Sequence, residues 1–452
     1  MHDKYTKALL KVIPGGSHTY SRGADQYPLN APSILSRGKG AYIFDKNHKK
    51  YLDYGMGLRS VNIGYAEKPI NNAAIAQINK GNNLTRPSEI ELKAANLLVK
   101  NIDSADMVKF TKNGSTAVTA SVKLARAYNR KDIVLRCLDH PFFSFDDWFI
   151  GSTVVDRGVP KDTKKLTITF RYNDIESLKR LVKKYKNRIS CVVLEPAATE
   201  CPMIDGNNGC CGEKVCNRKY GKKKHFLKEV EEICVDNKIV FILDETITGF
   251  RWHIKGAQYL YNIQPDISIF GKAMANGFSV ACLGGKRKIL ELGSITNKKE
   301  ERVFLLSTTH GAEMSSLGAF VETLNFIKKN NVIEKNWNYG YELKRNCNQL
   351  ARDYGLGEYF RILGPAGSPY YLCLDKSKKP SLEFRTLFLQ EMIKNGVFMP
   401  WIALCFRHSK KELAKTLNAL EKTFHIYKKA IYSEPKKFIK GPIVKPVFRK
   451  FN

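Results

Sequence analysis

Acidic side chains are scarce in this chain of 452 residues: 43 against 75 Lys and Arg, a formal net charge of +32. A surplus of that size gathers polyanions on any fold. The lysines, however, are spread over the whole length, and the densest clusters, Lys222–Lys224 and Lys436–Lys450, sit beside an insertion and in a terminal tail. No helix-turn-helix, zinc-finger or RNA-binding aromatic pattern accompanies them. The charge reads as solvated surface, and no nucleic-acid partner is expected. Long apolar runs are missing as well. Nothing approaches the ~18 apolar residues of a membrane span, and the start, Met1-His2-Asp3-Lys4-Tyr5, lacks the apolar core of a signal peptide. The expectation is a cytoplasmic protein without a membrane partner.

A disulfide framework is the third absence. The 11 cysteines include Cys191, Cys282 and Cys373 inside apolar runs, where they read as reduced, small core residues. Cys201, Cys210, Cys211 and Cys216, with His225 nearby, fall in an apparent insertion at about 200–225. Their spacing is not a clean pair of CxxC knuckles, so a loop of free thiols is expected and no metal. There is no internal repeat, and only the basic tail from Ser433 to Asn452 approaches low complexity.

What is present is a strand–loop–helix alternation. After a helical start at Tyr5–Val12 comes a turn-rich loop from Pro14 through Pro28. Residues Gly40–Tyr54 then alternate like a hairpin around Asp45-Lys46-Asn47-His48. Strands are predicted at Met107–Phe110, Ile133–Arg136, Leu166–Phe170, Cys191–Leu194, Ile239–Leu243, Ile267–Phe270 and Val280–Leu283. Between them, Ile175, Leu178, Leu181, Val182 and Tyr185 make one apolar helical face behind an Asn173-Asp174 cap. This is an α/β pattern, a sheet covered by helices on both faces. From about residue 320 a helix opens a weaker, mixed pattern, read as a smaller α+β domain.

In such a sheet, ligands gather beyond the carboxyl ends of the strands. Three positions there carry chemistry: Asp244 after Ile239–Leu243, Gly271-Lys272 after Ile267–Phe270, and Asn113-Gly114-Ser115-Thr116 after Met107–Phe110. Each has a plain alternative, respectively a loop or capping carboxylate, a surface turn and a simple N-cap. Together they match the needs of pyridoxal phosphate (PLP): an amine for its aldehyde, a carboxylate for its ring nitrogen and a helix N-terminus for its phosphate.

With these residues go Pro14-Gly15-Gly16 and Arg22, Gly40-Ala41-Tyr42-Ile43-Phe44-Asp45, Leu194-Glu195-Pro196, Asp244-Glu245-Thr246-Ile247-Thr248-Gly249-Phe250-Arg251, and Thr309-His310-Gly311-Ala312-Glu313. Over nearly its whole length the sequence resembles class III aminotransferases, in the branch of glutamate-1-semialdehyde aminomutase and its relatives. The resemblance implies a fold type I PLP enzyme. Its large domain, about 76–325, would hold a mostly parallel seven-stranded sheet. A smaller α+β domain would form from residues 1–75 and 326–432, with the tail 433–452 as an arm or docked extension.

The resemblance also implies roles. Lys272 is the Schiff-base lysine and proton carrier, Asp244 the partner of the ring nitrogen, and Gly114, Ser115 and Thr116 the phosphate cup. Phe142 stacks on the ring, and Glu195 belongs to the cofactor-binding set. Thr309 serves the phosphate of the neighbouring subunit, so a homodimer with shared sites is implied, and Arg22 grips a substrate carboxylate. The activity implied is that of an aminotransferase or aminomutase. The loop Ala273–Val280 and the ending Gly441–Arg449 are more like relatives tied to surface-polysaccharide pathways, which implies as an alternative a small aldehyde or sugar-linked ketone as amino acceptor. Trp148 and Trp401 join Arg22 as candidates for setting specificity.

Overall fold

The computed structural model describes residues 3–197, 200–203, 224–298, 300–311 and 313–451. Its strands, in chain order, are β1 (Leu35–Lys39), β2 (Tyr42–Asp45), β3 (Lys50–Asp53), β4 (Met107–Thr111), β5 (Ile133–Cys137), β6 (Thr167–Phe170), β7 (Ile189–Leu194), β8 (Val240–Asp244), β9 (Ile267–Phe270), β10 (Ala281–Gly285), β11 (Phe360–Leu363), β12 (Tyr370–Cys373) and β13 (Val397–Phe398). The described residues form two compact units: 3–67 with 334–449, and those of 68–333 with 450 and 451.

The second unit holds a seven-stranded sheet in the order β4-β10-β9-β8-β7-β5-β6. Strands β6, β5, β7, β8 and β9 pair in parallel, whereas β10 runs antiparallel to both β4 and β9. Every residue of β5, β7, β8, β9 and β10 is buried. That is why their sequences are continuous apolar runs instead of alternating ones. The helix Gly114–Asn129 crosses this sheet with Val118, Val122 and Ala125 inward, and Asp174 caps the helix Ile175–Lys184 as predicted.

The boundary between the units falls at 67/68 instead of about 75, because the helix Lys68–Ile78 packs along the helix Met314–Asn330 inside the second unit. That latter helix begins six residues before the predicted position near 320. On the other side the second unit continues to Ile333, past the expected 325.

In the first unit, β1-β2-β3-β13 form a four-stranded sheet in which β13 runs parallel to β3, and β11 and β12 pair separately. The predicted hairpin is β2–β3. The core joins Tyr54, Met56, Phe360, Phe388, Phe424 and Tyr427, and the helices Leu382–Lys394 and Lys410–Ile431 supply much of it. The basic tail is docked on this unit: Val444 N–H donates to Thr386 Oγ1 (3.0 Å), and Arg449 pairs with Asp25 at 2.6 Å.

Cys191, Cys282 and Cys373 are buried free thiols, and so is Cys201. Cys210, Cys211 and Cys216 lie outside the described residues. Among the described residues no group of three or more His, Cys, Asp and Glu could hold a metal, and no helix is long and apolar enough to cross a membrane.

Candidate active site

Strand β8 ends on Asp244 itself, and its neighbour β9 leads through Gly271 into Lys272. The two ends are in register: Asp244 pairs with Ile269, and Glu245 N–H donates to Ile269 O (2.9 Å). Lys272 is half-buried and opens a single 3₁₀ turn with φ +40°. A side chain with a Cβ is rarely held in that left-handed region, and backbone strain of this kind collects at functional sites.

Asp244 is 5% exposed. Its carboxylate accepts one backbone N–H, from Thr246 (2.9 Å), although an ionised carboxylate has about four acceptor positions. Burial pushes its pKa up, opposed by Thr246 and by the charge of Lys272. The adjacent Glu245 is the opposite case. It accepts from Thr248 Oγ1 (2.9 Å), Ala257 N (2.6 Å), Gln258 N (3.0 Å) and Gln258 Nε2 (3.1 Å), so its carboxylate is saturated by the fold.

Strand β4 delivers the helix Gly114–Asn129. Asn113 caps it by accepting Thr116 N–H (2.9 Å). The amides of Gly114 and Ser115 have no hydrogen-bond partner among the described residues. Open amides at the head of a sixteen-residue helix favour an anion. Gly114 and Gly271 both lie close against Thr246: a Cβ on Gly114 would lie 3.1 Å from Thr246 Oγ1, and one on Gly271 3.3 Å from Thr246 Cγ2. Thr246 thus stands between the head of that helix and the approach to Lys272.

The loop after β5 is tied to the same helix. Thr119 Oγ1 donates to Asp146 (2.5 Å) and meets Ser144 Oγ (2.9 Å), while Trp148 Nε1 donates to Thr119 Oγ1 (2.9 Å). Trp148 is buried, with its indole N–H engaged in this network. Phe142, on that loop, is 46% exposed and meets Phe149 edge-on at 5.7 Å. His140 is buried; its Nδ1 accepts Glu195 N–H (3.0 Å), which ties the ends of β5 and β7 together and leaves Glu195 buried. Thr309 is exposed; further on, an ion pair of Glu313 with Lys112 and a hydrogen bond to it from Asn82 (2.9 Å) hold the start of the next helix.

Arg22 is in the first unit, at a cavity of about 710 Å³ that Tyr27, Leu58 and Trp401 also line. One wall of the cavity was invisible in the sequence. Residues Met56, Gly57, Leu58 and Arg59 have φ of +41°, +57°, +60° and +67°, a left-handed turn built mostly from side chains that disfavour it. Asp53 pins the turn by accepting Gly55 N–H (2.6 Å), Met56 N–H (2.9 Å) and Tyr65 O–H (2.6 Å). The pair of glycines after Asp53 was the one sequence signal for it. Thr246, quoted in the sequence only as part of a motif, is the other residue whose place had no local signature.

A dry carboxylate short of donors, a lysine at the adjoining strand end and a helix head with open amides suit a pyridine nitrogen, an aldehyde and a phosphate, so these residues fit PLP. The family model for class III aminotransferases matches residues 23–368. The glutamate-1-semialdehyde 2,1-aminomutases of Wigglesworthia glossinidia brevipalpis and Archaeoglobus fulgidus are 29% and 28% identical to this chain. The first alignment covers 93% of this chain and 97% of the relative, the second 92% and 97%. Among solved structures, the FumI protein of Sphingopyxis sp. in its PLP internal aldimine form has a TM-score of 0.81 at 24% identity, covering 95% of this chain and 97% of that one. A glutamate-1-semialdehyde aminomutase from Pseudomonas aeruginosa has a TM-score of 0.75 at 17% identity, with 93% of each chain covered. With the fold, the strand-end residues and the family match in agreement, the chain belongs to the class III aminotransferases and is a PLP-dependent enzyme.

Proposed function

We propose that this enzyme moves an amino group on a small, carboxylate-bearing substrate, in the manner of glutamate-1-semialdehyde 2,1-aminomutase. PLP, when bound, supplies an aldehyde for the amine and a positive ring that draws electrons from the substrate carbon. In this reading Lys272 carries the cofactor and, once displaced, its ε-amine moves the proton at the substrate carbon. Asp244 faces the ring nitrogen and keeps it protonated. Gly114, Ser115 and Thr116 hold the phosphate, Phe142 lies against the ring, and Glu195 completes the cofactor's surroundings. Thr309 serves the phosphate of a neighbouring subunit in a homodimer, and Arg22 takes the substrate carboxylate.

The observation that carries this reading is the buried, donor-poor carboxylate of Asp244 in register with the strand that leads to Lys272. A second reading comes from the loop Ala273–Val280 and the ending Gly441–Arg449, which resemble relatives tied to surface-polysaccharide pathways. The enzyme would then be an intermolecular aminotransferase acting on a small or sugar-linked aldehyde or ketone.

The test is the visible absorption of the full-length protein reconstituted with PLP, for wild type and Lys272→Ala, before and after adding glutamate, other amino donors and glutamate-1-semialdehyde. A band that depends on Lys272 and turns over with glutamate-1-semialdehyde alone supports the aminomutase; bleaching by a separate donor supports the aminotransferase. A band identical in Lys272→Ala removes Lys272 from its role.

A further inference from the structure

We propose that the Thr246 hydroxyl is a positioning group for the cofactor: it completes the hydrogen bonding of Asp244, so that the bridging proton stays on the ring nitrogen and not on the carboxylate. The inference rests on the assignment of Asp244 to that nitrogen.

Three observations lead to it. First, Thr246 Oγ1 is shielded from solvent and makes no hydrogen bond of acceptable geometry among the described residues. A buried hydroxyl left this way is costly unless something at the site claims it. Second, the side chain packs where two bare glycines leave room for it, Gly114 beside Oγ1 and Gly271 beside Cγ2, which places it at the head of the helix and at the approach to Lys272. Third, its own N–H already donates to Asp244 Oδ1 (2.9 Å), which anchors the residue to the same carboxylate. Lys272 is the charged group acting on Asp244 from the neighbouring strand end. A hydroxyl proton turns freely about its Cβ–Oγ bond, so a modest adjustment supplies the donor that Asp244 lacks.

The chemistry follows from basicity. A carboxylate deprived of a donor is a stronger base, and a proton shared between it and a pyridine nitrogen moves toward oxygen. The ring then loses positive charge and becomes a poorer electron acceptor.

Two pairs of variants isolate the hydroxyl. Wild type and Thr246→Val have nearly the same shape with and without it; Thr246→Ser and Thr246→Ala differ by it as well, and they keep the test valid should the valine fail to fold. Each holoenzyme is loaded with PLP labelled with ¹⁵N in the ring, and the nitrogen resonance is read alongside turnover. The expected result is a resonance displaced toward the unprotonated position in Thr246→Val and Thr246→Ala, with kcat lower by about tenfold, the worth of one ordinary hydrogen bond. Thr246→Ser is expected to stay within about twofold of wild type. Val and Ser shifting alike would reduce Thr246 to packing and overturn the proposal, as would a valine variant indistinguishable from wild type. Asp244→Asn is the control: if it leaves the wild-type resonance unmoved, Asp244 does not face the ring nitrogen and both readings fall; if it moves the resonance while Thr246→Val does not, only this proposal falls.

Discussion

Asp53 and Asp244 are the same residue type in nearly the same local setting. Each closes a β-strand, each is almost fully buried, and each accepts the N–H two residues ahead, from Gly55 and Thr246 respectively. Burial raises the pKa of both. What differs is how far the fold satisfies the carboxylate. Asp53 receives Gly55 N–H, Met56 N–H and Tyr65 O–H, and in return holds a left-handed turn in place. Asp244 receives one backbone N–H and has a hydroxyl beside it that is not yet engaged. A buried carboxylate that the fold supplies with three donors has little capacity left for a ligand, whereas one supplied with a single donor calls for something else to satisfy it. Counting donors separates a structural aspartate from a functional one where burial and pKa direction do not.

Removing the charge from each aspartate is expected to have opposite consequences. Asp244→Asn is expected to leave the folded protein nearly as stable as wild type and to lower turnover on the order of 10²–10³-fold, the usual loss when a preorganised electrostatic partner is removed. Asp53→Asn is expected to do the reverse. An amide keeps one acceptor but turns an NH₂ toward donors that need an oxygen, which costs about 1–3 kcal/mol of stability, while the Lys272-dependent absorption band persists. Denaturant unfolding and the absorption spectrum, run on both variants, check the crossing. Equal losses of stability would remove the distinction.

The same contrast explains what was legible in the sequence. The strands that carry Asp244 and Lys272 are continuous apolar runs because the sheet is covered on both faces, and a residue that ends such a run is conspicuous. The Asp-Glu to Gly-Phe-Arg block and the lysine that follows it are linear features. The left-handed turn is not, since Met56, Leu58 and Arg59 have no local preference for positive φ. Their conformation is imposed by Asp53, by Trp401, whose indole donates to Gly55 O (3.0 Å), and by Ser60, whose hydroxyl donates to Gly57 O (2.7 Å). The boundary between the units escaped for the same reason: the helix Lys68–Ile78 belongs to whichever unit it packs on, and packing is not written in its periodicity. The hydrogen bond from the Trp148 indole to Thr119 has no linear signature either, because 29 residues separate the two in the chain.

Acid acts on the buried groups with smaller consequences. Burial holds the imidazoles of His140 and His408 neutral, at about 3 and about 4, below the usual 6.5. The unfolded chain takes up those protons first, so their contribution is complete above pH 6.5 and is lost as the pH falls. Asp53 has the opposite sign. Its carboxyl is lifted to about 6 by burial, so between pH 6 and 3.8 the folded chain takes up its proton before the unfolded chain does, which offsets one histidine. Asp53→Asn removes that offset. The slope of unfolding free energy against pH between 6 and 4 is expected to steepen by about one proton, or ~1.4 kcal/mol per pH unit. An unchanged slope would mean that Asp53 does not titrate in this window.

The smallest effect compares one substitution at two glycines. Gly57 has φ +57°, and a Cβ added there would lie 2.8 Å from Ser60 Oγ, the atom that closes the left-handed turn. Gly57→Ala therefore adds left-handed strain and displaces that hydroxyl, for a loss of about 1–2 kcal/mol in unfolding free energy with the cofactor band unchanged. Gly114 has an ordinary helical backbone, and its added Cβ would meet Thr246 Oγ1 at 3.1 Å, a distance that a small shift of the threonine relieves. Gly114→Ala is expected to cost less than about 1 kcal/mol in stability, since alanine is the better helix former, yet to move the cofactor's absorption through the displaced hydroxyl. If Gly114→Ala loses stability and leaves the band alone, Thr246 packs against that helix without reaching the site. If the band moves while stability holds, the two glycines divide as the two aspartates do, one serving the fold and the other the cofactor.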